Sequence, residues 1–197
     1  IEDAAHAIGA SYLNKNVGSC QYSDITVFSF HPVKVITTGE GGAALTNNLE
    51  VAKKMQLLRS HGITRDSKEM TNSIDSDWYY EQISLGFNYR MTDIHAALGL
   101  SQLKRLDSYV EARISIAEHY NQALKDLPLT LPLDSKSSSW HLYVIKVDSK
   151  KTNISRAPCA YSLDLDNHRD PEMFDDNMWR RRQTVNHGLR RGLVEQR

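Results

Sequence analysis

Short apolar runs separated by turn-forming residues occupy the first quarter of the chain. Three of them predict strands, namely AHAIGASYL at residues 5–13, TVFSF at residues 26–30 and GAALTN at residues 42–47. Runs of this length, broken by Gly and Pro, are typical of the buried strands of an α/β sheet. The pattern therefore favours the α/β class over an all-helical or all-β protein.

Helical periodicity begins after these runs. Asn48 is a predicted N-cap of a helix from Leu49 to about Ser60, with Gly62 just past its end. The polar stretch 64–82 lacks a period and predicts a long loop, and loops of this length often carry function.

A second periodic stretch is predicted to begin at the cap Thr92 and to continue as one helix to Asp126. Pro128 and Pro132 end it, because proline cannot continue a helix. The run WHLYVIKV at residues 140–147 then alternates well enough to predict a strand.

Composition removes several classes of function. The 197 residues are 40% hydrophobic and 24% charged with zero formal net charge, so neither nucleic acid nor an anionic membrane is an expected partner. No apolar run approaches the ~20 residues that span a bilayer. Cys20 and Cys159 lack the spacing of a metal site or a disulfide framework, so we expect no metal and a reducing cytoplasm.

Lys34 is the most informative residue, because it follows the strand TVFSF in a turn rich in Pro, Thr and Gly. A lysine held there can lose its proton more easily and attack an aldehyde. Upstream, Asp3 offers the carboxylate that keeps the ring nitrogen of pyridoxal phosphate (PLP) protonated. Taken singly, a solvated lysine and a capping aspartate are the commoner interpretations, and only their combination predicts a PLP site.

Three segments carry a resemblance to a known family: EDAAHAIGA, then SFHPVKVITTGEGG, then LGFNYRMTDIHAALGLSQL. In order and spacing they resemble the DegT/DnrJ/EryC1/StrS sugar aminotransferases, from Ile1 to about Val147. The resemblance implies an α/β fragment of the PLP-dependent transferase fold (aspartate aminotransferase-like, fold type I). That fold has a mixed sheet with flanking helices and part of a small C-terminal domain. The implied division is 1–104 for the large domain, 105–150 for the linking helix and the start of the small domain, and 151–197 unassigned.

The resemblance also implies roles for individual residues. Lys34 becomes the catalytic residue, which binds PLP covalently and later moves a proton. The implied cofactor contacts are Asp3 with the ring nitrogen, His6 with the phenolic oxygen, Ser29 with the phosphate and Asn88 with the phosphate in the partner subunit. For His6 a core histidine, and for Ser29 a plain strand serine, remain open alternatives.

Substrate contacts are implied for His31, Tyr80 and Arg90. A surface arginine remains an alternative for Arg90, and the trio of aromatic residues at 78–80 is equally compatible with interface packing.

The implied reaction transfers an amino group, expected from glutamate, to C4 of a UDP-linked 4-keto-6-deoxy-N-acetylhexosamine, as in pseudaminic acid synthesis. A homodimer with shared active sites is implied. A PLP-dependent sugar dehydratase is a rival, but in that group the anchoring lysine is replaced and here Lys34 is present. The other rival is a non-catalytic fragment. The family's phosphate-binding turn and stacking aromatic residue would precede Ile1, so we expect little turnover by this chain alone.

The last segment differs in composition from the rest. Residues 1–150 contain 10 Lys and 5 Arg, whereas residues 151–197 contain 1 Lys and 8 Arg. The change favours a shift of reading frame, with a splice error or a genuine appended tail as alternatives. The arginines are offset by acidic residues, so nucleic-acid binding by this tail is not expected. These acidic residues include Asp164, Asp166, Asp170, Glu172, Asp175 and Asp176.

Overall fold

A computed structural model of the chain describes residues 1–71, 76, 78–133 and 137–147, together with the backbone of a strand at 160–163. These residues lie in one compact unit, Ile1–Leu165. The helices are α1 (Leu49–Arg59), α2 (Asp93–Leu103) and α3 (Leu106–Leu124). The strands are β1 (Glu2–Asp3), β2 (Ser11–Tyr12), β3 (Lys15–Asn16), β4 (Thr26–Ser29), β5 (Gly42–Leu45), β6 (Ile63–Thr64), β7 (Glu81–Gln82), β8 (Leu129–Thr130), β9 (Tyr143–Val147) and β10 (Ala160–Leu163).

A mixed three-stranded sheet organises the first part of the molecule, with the strand order β1-β4-β5. β4 pairs in parallel with β1 and antiparallel with β5. Thr26 and Phe28 on β4 are buried while Val27 between them is exposed, which is the alternation expected when one face of a strand is covered. Because β1 and β4 are parallel, the segments that leave their carboxyl ends start from the same edge of the sheet.

The prediction of a strand at residues 5–13 is wrong. Most of the segment forms turns, and only Ser11 and Tyr12 pair, in a short hairpin with β3. Gly9 explains the difference, because its φ of +80° breaks the extended conformation. A Cβ at this position would lie 2.7 Å from Cγ2 of Val110, so the glycine also lets α3 approach the turn.

Helix α1 follows the sequence prediction. The Asn48 side chain accepts hydrogen bonds from the backbone N–H groups of Glu50 and Val51, as an N-cap residue does. Gly62, just past the end of the helix, has a φ of +68°. The loop at 64–82 is closed at its ends by the antiparallel pairing of β6 with β7.

The single helix predicted from Thr92 to Asp126 is instead two helices. Thr92 does cap α2, because its hydroxyl accepts a hydrogen bond from the N–H of His95. The break falls at Lys104 and Arg105, where Arg105 leaves the helical region with a φ of −109° and a ψ of 4°. The break ends α2 and begins α3, although the apolar periodicity of the sequence continues through it.

α3 packs on a second, antiparallel sheet with the strand order β8-β9-β10. Its hydrophobic core contains four buried residues, and partly buried leucine, isoleucine and tyrosine side chains surround them. The buried four are Ala117, Trp140, Tyr143 and Ile145. The strand predicted at residues 140–147 is thus confirmed as β9, and β10 extends the same sheet beyond residue 150. None of the described helices is long and apolar enough to cross a membrane.

Candidate active site

The carboxyl edge of the β1–β4 pair brings together the first group of predicted site residues. β1 ends at Asp3, which is the register partner of Val27, and β4 ends two residues later at Ser29. The Asp3 side chain is exposed, and its Oδ1 accepts a hydrogen bond of 3.1 Å from the backbone N–H of Ala5. This contact leaves the second carboxylate oxygen of Asp3 available to a ligand.

The turn that carries Lys34 is closed by hydrogen bonds to one residue, Phe30. The Phe30 carbonyl accepts from the N–H of Thr38 at 3.0 Å and from Oγ1 of Thr37 at 2.9 Å. The Phe30 N–H donates to the carbonyl of Gly41 at 2.8 Å, where a φ of +154° requires glycine. These hydrogen bonds fix the backbone of the turn that carries Lys34.

Lys34 itself is half-buried and lies within this turn. Its backbone N–H donates to the carbonyl of His31 at 2.9 Å, and the next two residues, Val35 and Ile36, are buried and anchor the turn. Within the described ranges, the Lys34 side chain forms no hydrogen bond and no ion pair. A lysine in this position is available for reaction with a ligand.

Ser29 and His31 make local contacts in the same turn. The Ser29 hydroxyl oxygen accepts a hydrogen bond of 3.4 Å from the N–H of His31, so its own proton remains available to an anion. The His31 Nδ1 accepts from the N–H of Val33 at 3.3 Å, and its Nε2 lies 3.9 Å from Oε1 of Glu40. These contacts give His31 a role in shaping the turn, and its substrate contact stays a prediction.

His6 lies beside a residue that sequence reasoning missed, His141. Their ring centroids are 4.3 Å apart with an interplanar angle of 61°. Burial, and then the neighbouring His6, Lys34 and Arg113, lower the pKa of His141 from 6.5 to about 4. His141 is therefore neutral at neutral pH. The only sequence signal for it was its residue type, at the start of a predicted strand.

A second group of residues lines a cavity of about 370 Å³ at the C-terminal end of α1. Two of the predicted substrate contacts, Tyr80 and Arg90, are brought together there. The guanidinium carbon of Arg65 lies 6.0 Å from the centroid of the Tyr80 ring. The structure shows no ion pair for either arginine among the residues it describes. The cavity is lined by Ser60, His61, Ile63, Arg65, Tyr80 and Arg90.

Asn88 lies next to this cavity. It forms an isolated β-bridge with Ser60 at the end of α1, and its side chain is exposed. Trp78 is 75% exposed and, like Tyr79, does not line the cavity. The structure thus places the predicted site residues in two groups, one at the sheet edge with Lys34 and one at this cavity. No cluster of metal ligands occurs in the described part of the chain.

Comparison with known proteins identifies the family of the chain. The model of the DegT/DnrJ/EryC1/StrS aminotransferase family matches residues 1–167. The chain belongs to this family. The match extends past residue 150, where the resemblance was expected to end. A curated relative, the UDP-4-amino-4,6-dideoxy-N-acetyl-beta-L-altrosamine transaminase of Campylobacter jejuni, is 45% identical over 148 residues, which are 74% of this chain and 36% of that protein.

Solved structures confirm the predicted fold class, the PLP-dependent sugar aminotransferases of fold type I. PseC of Helicobacter pylori, an aminotransferase of pseudoaminic acid biosynthesis, has a TM-score of 0.66 and 41% identity over 75% of this chain and 38% of that one. The PLP form of a putative sugar aminotransferase, Spr1654 of Streptococcus pneumoniae, has a TM-score of 0.63 and 34% identity over 74% and 36% of the two chains. The family is PLP-dependent, as predicted. The chain spans less than half the length of the curated relatives that it matches.

Proposed function

We propose that this chain carries the lysine-bearing half of the PLP site of a sugar-nucleotide aminotransferase. The observation that supports this most is the position of Lys34, which has no described side-chain partner and lies on a hydrogen-bonded turn at the sheet edge where Asp3 ends β1. The donor set fits PLP, because it combines an amine, a carboxylate and a hydroxyl. The domain division at residues 104 and 150 and a cytoplasmic location remain predictions.

Each residue has a distinct task in this proposal. PLP, when bound, supplies an aldehyde and a ring that accepts electrons. Lys34 would hold the cofactor covalently and, once released, would carry a proton between the substrate's amino carbon and C4′ of the cofactor, a 1,3-shift that its flexible stem allows. The Asp3 carboxylate holds a proton on the ring nitrogen. Ser29 donates its hydroxyl proton to the phosphate, and His6 contacts the phenolic oxygen.

For the substrate we propose a UDP-linked 4-keto-6-deoxy-N-acetylhexosamine as acceptor at C4 and glutamate as donor. The names of the Campylobacter and Helicobacter relatives support this class. The cavity beside α1 supports it as well, because two arginines without a described ion pair and a tyrosine suit a diphosphate attached to a planar base. A contact of His31 with the same substrate is part of this proposal.

We further propose a homodimer in which Asn88, Tyr80 and Arg90 serve the partner's Lys34 site. The position of Asn88 beside the cavity, with its side chain exposed, supports this arrangement. So do large apolar side chains left exposed near Asn88 and on α2, which a second copy would cover. These side chains are Leu85, Phe87, Tyr89, Ile94 and Leu100, with exposed fractions of 89%, 54%, 72%, 82% and 63%.

The test is to trap the cofactor on the 197-residue chain. The chain is incubated with PLP and reduced with borohydride, and the pyridoxyl-modified peptide is identified by mass spectrometry. We expect a dominant adduct on Lys34 that disappears in Lys34→Ala and decreases in Asp3→Ala. Lys53→Ala is the matched control, because Lys53 is exposed and pairs with Glu50 at 3.3 Å.

Scattered labelling of surface lysines, with no preference for Lys34, would overturn the proposed site. The substrate class is tested separately with the PLP-loaded homodimer. The experiment follows the transfer of 15N from labelled glutamate to the keto sugar. Transfer to a different class of acceptor would contradict the substrate and leave the Lys34 site intact.

A further inference from the structure

His141 is placed by an unusual turn, Ser138–His141, at the start of β9. Trp140 in this turn is buried and has a φ of +48°, which is a strained conformation for a bulky residue. Its N–H donates to Oγ of Ser138 at 3.1 Å. Strain of this kind persists where the surrounding structure enforces it, and it often occurs at functional sites.

Arg113 on α3 holds the turn in this conformation through two hydrogen bonds. Its Nη1 donates to the carbonyl of Trp140 at 3.3 Å and to the carbonyl of His141 at 3.4 Å. The side chain is only 6% exposed, so these contacts are made out of reach of bulk water. A buried charged donor therefore fixes the backbone on which His141 stands.

The same turn is attached to the segment that follows β1. Oγ of Ser139, which is buried, donates to the carbonyl of His6 at 3.4 Å, and the N–H of Ser11 donates to the carbonyl of Ser137 at 2.8 Å. In addition to these contacts, the His6 and His141 rings pack edge to face. The backbone of His6 and its ring are thus both in contact with the turn.

The His141 ring gains little from hydrogen bonds of its own. Its Nδ1 is buried and has no hydrogen-bond partner among the residues that the structure describes, an arrangement that costs free energy in a purely structural residue. The cationic or ionisable groups that face it, His6, Lys34 and Arg113, come from three different segments and disfavour its protonated form. A neutral ring at this point adds no positive charge to the surroundings of Lys34.

From this geometry we propose that His141 is a positioning residue, which packs against His6 and fixes the direction of the His6 ring toward the cofactor. The inference rests on the proposed function, because it assumes that His6 contacts PLP. It adds a residue from the α3–β9 region to a site that the sequence assigned to the segments around β1 and β4.

The first experiment needs no cofactor. It compares the NMR shifts of the His6 ring protons in the unmodified chain, in His141→Ala and in His141→Phe, with His119→Ala on the exposed face of α3 as control. We expect the ring-current shift of His6 to be lost in His141→Ala and kept in His141→Phe and in the control. An unchanged His6 spectrum in His141→Ala would overturn the inference. Should His141→Ala fail to fold, the decision passes to His141→Gln, which keeps hydrogen-bonding atoms but no aromatic ring.

The second experiment links the pair to PLP. PLP affinity and the pH dependence of the absorption band of the Lys34 adduct are measured for His6→Ala, His141→Ala and the double variant. We expect affinity to fall about tenfold in His141→Ala, with no further effect of this change once His6 is absent. Additive effects of the two changes would overturn the inference.

The two experiments separate the possible failures. If the unmodified chain forms no adduct on Lys34 while the His6–His141 contact is seen by NMR, the proposed function is wrong. If the adduct forms normally and neither its affinity nor its spectrum changes in His141→Ala, the positioning role is wrong and the proposed function stands.

Discussion

The turn that holds Lys34 and the turn that holds His141 are built in opposite ways. The first is closed by hydrogen bonds among residues within about a dozen positions, with Phe30 and Thr37 at their centre. The second depends on partners far away in sequence, namely Arg113 on α3 and His6 after β1. A local turn is encoded by the residues that form it, whereas the other exists only when separate elements have packed.

The largest effect is expected for Arg113→Met, which disrupts the turn that depends on distant partners. The change keeps an apolar stem but removes the donor to the carbonyls of Trp140 and His141. We expect the free energy of unfolding to fall by about 3 kcal/mol, since buried carbonyls lose a charged donor. Urea denaturation measures it. Arg105→Met, at the exposed start of α3, is the control, and equal losses in the two variants would show that the buried contacts contribute nothing special.

Thr37→Val tests the local turn and has a smaller expected effect. The Thr37 hydroxyl donates to the carbonyl of Phe30 and accepts from the N–H of Gly39, both at 2.9 Å. Losing both bonds lowers the free energy of unfolding by about 1.5 kcal/mol. Thr130→Val, at an exposed position of β8, serves as the control. The ring contact of His6 with His141 stays intact by NMR in Thr37→Val, and its loss would mean that the two turns are not independent.

The pH dependence of stability gives the smallest expected effect. The pKa of His141 is about 4 in the folded chain and 6.5 for an unperturbed histidine, so between these values the unfolded chain binds more protons. The contribution of His141 is therefore complete above pH 6.5 and is lost as pH falls toward 4. We expect it to stay below about 1 kcal/mol, because the half-buried ring is partly screened by water.

Comparing His141→Phe with the unmodified chain separates the contribution of His141 to the pH dependence of stability from that of other groups that titrate in the same range. The free energy of unfolding is measured by urea denaturation at several pH values between 4 and 7. The slope of the unmodified chain should exceed that of the variant. Identical slopes would show that His141 titrates normally in the folded chain.

The regions that the sequence predicted well are those with local causes. Helix α1 begins where Asn48 can cap it, and β4 shows the alternation of a half-covered strand. The Lys34 turn follows from Gly and Thr residues that hydrogen-bond within a short segment. The structure places Asp3 and Ser29 at one edge because parallel strands end together, and their cofactor contacts stay predictions.

The failures share a different cause. Apolar periodicity continued through Lys104 and Arg105, so the pattern alone gave one helix where packing gives two. The apolar run at residues 5–13 looked like a strand, but Gly9 turns there beneath Val110. His141 had no motif to mark it, because its neighbours come from α3, from the turn after β4 and from the segment after β1.

By itself, the sequence determined the family of this protein, its α/β class and the lysine on which the proposed chemistry depends, because all three are written in contiguous segments. Only the tertiary structure decided which residues surround that lysine and where the predicted substrate contacts lie. The Tyr80 and Arg90 side chains share a cavity with Arg65, and His141 meets His6, through contacts between elements distant in sequence. Such contacts depend on how helices and strands pack, which a one-dimensional pattern does not contain.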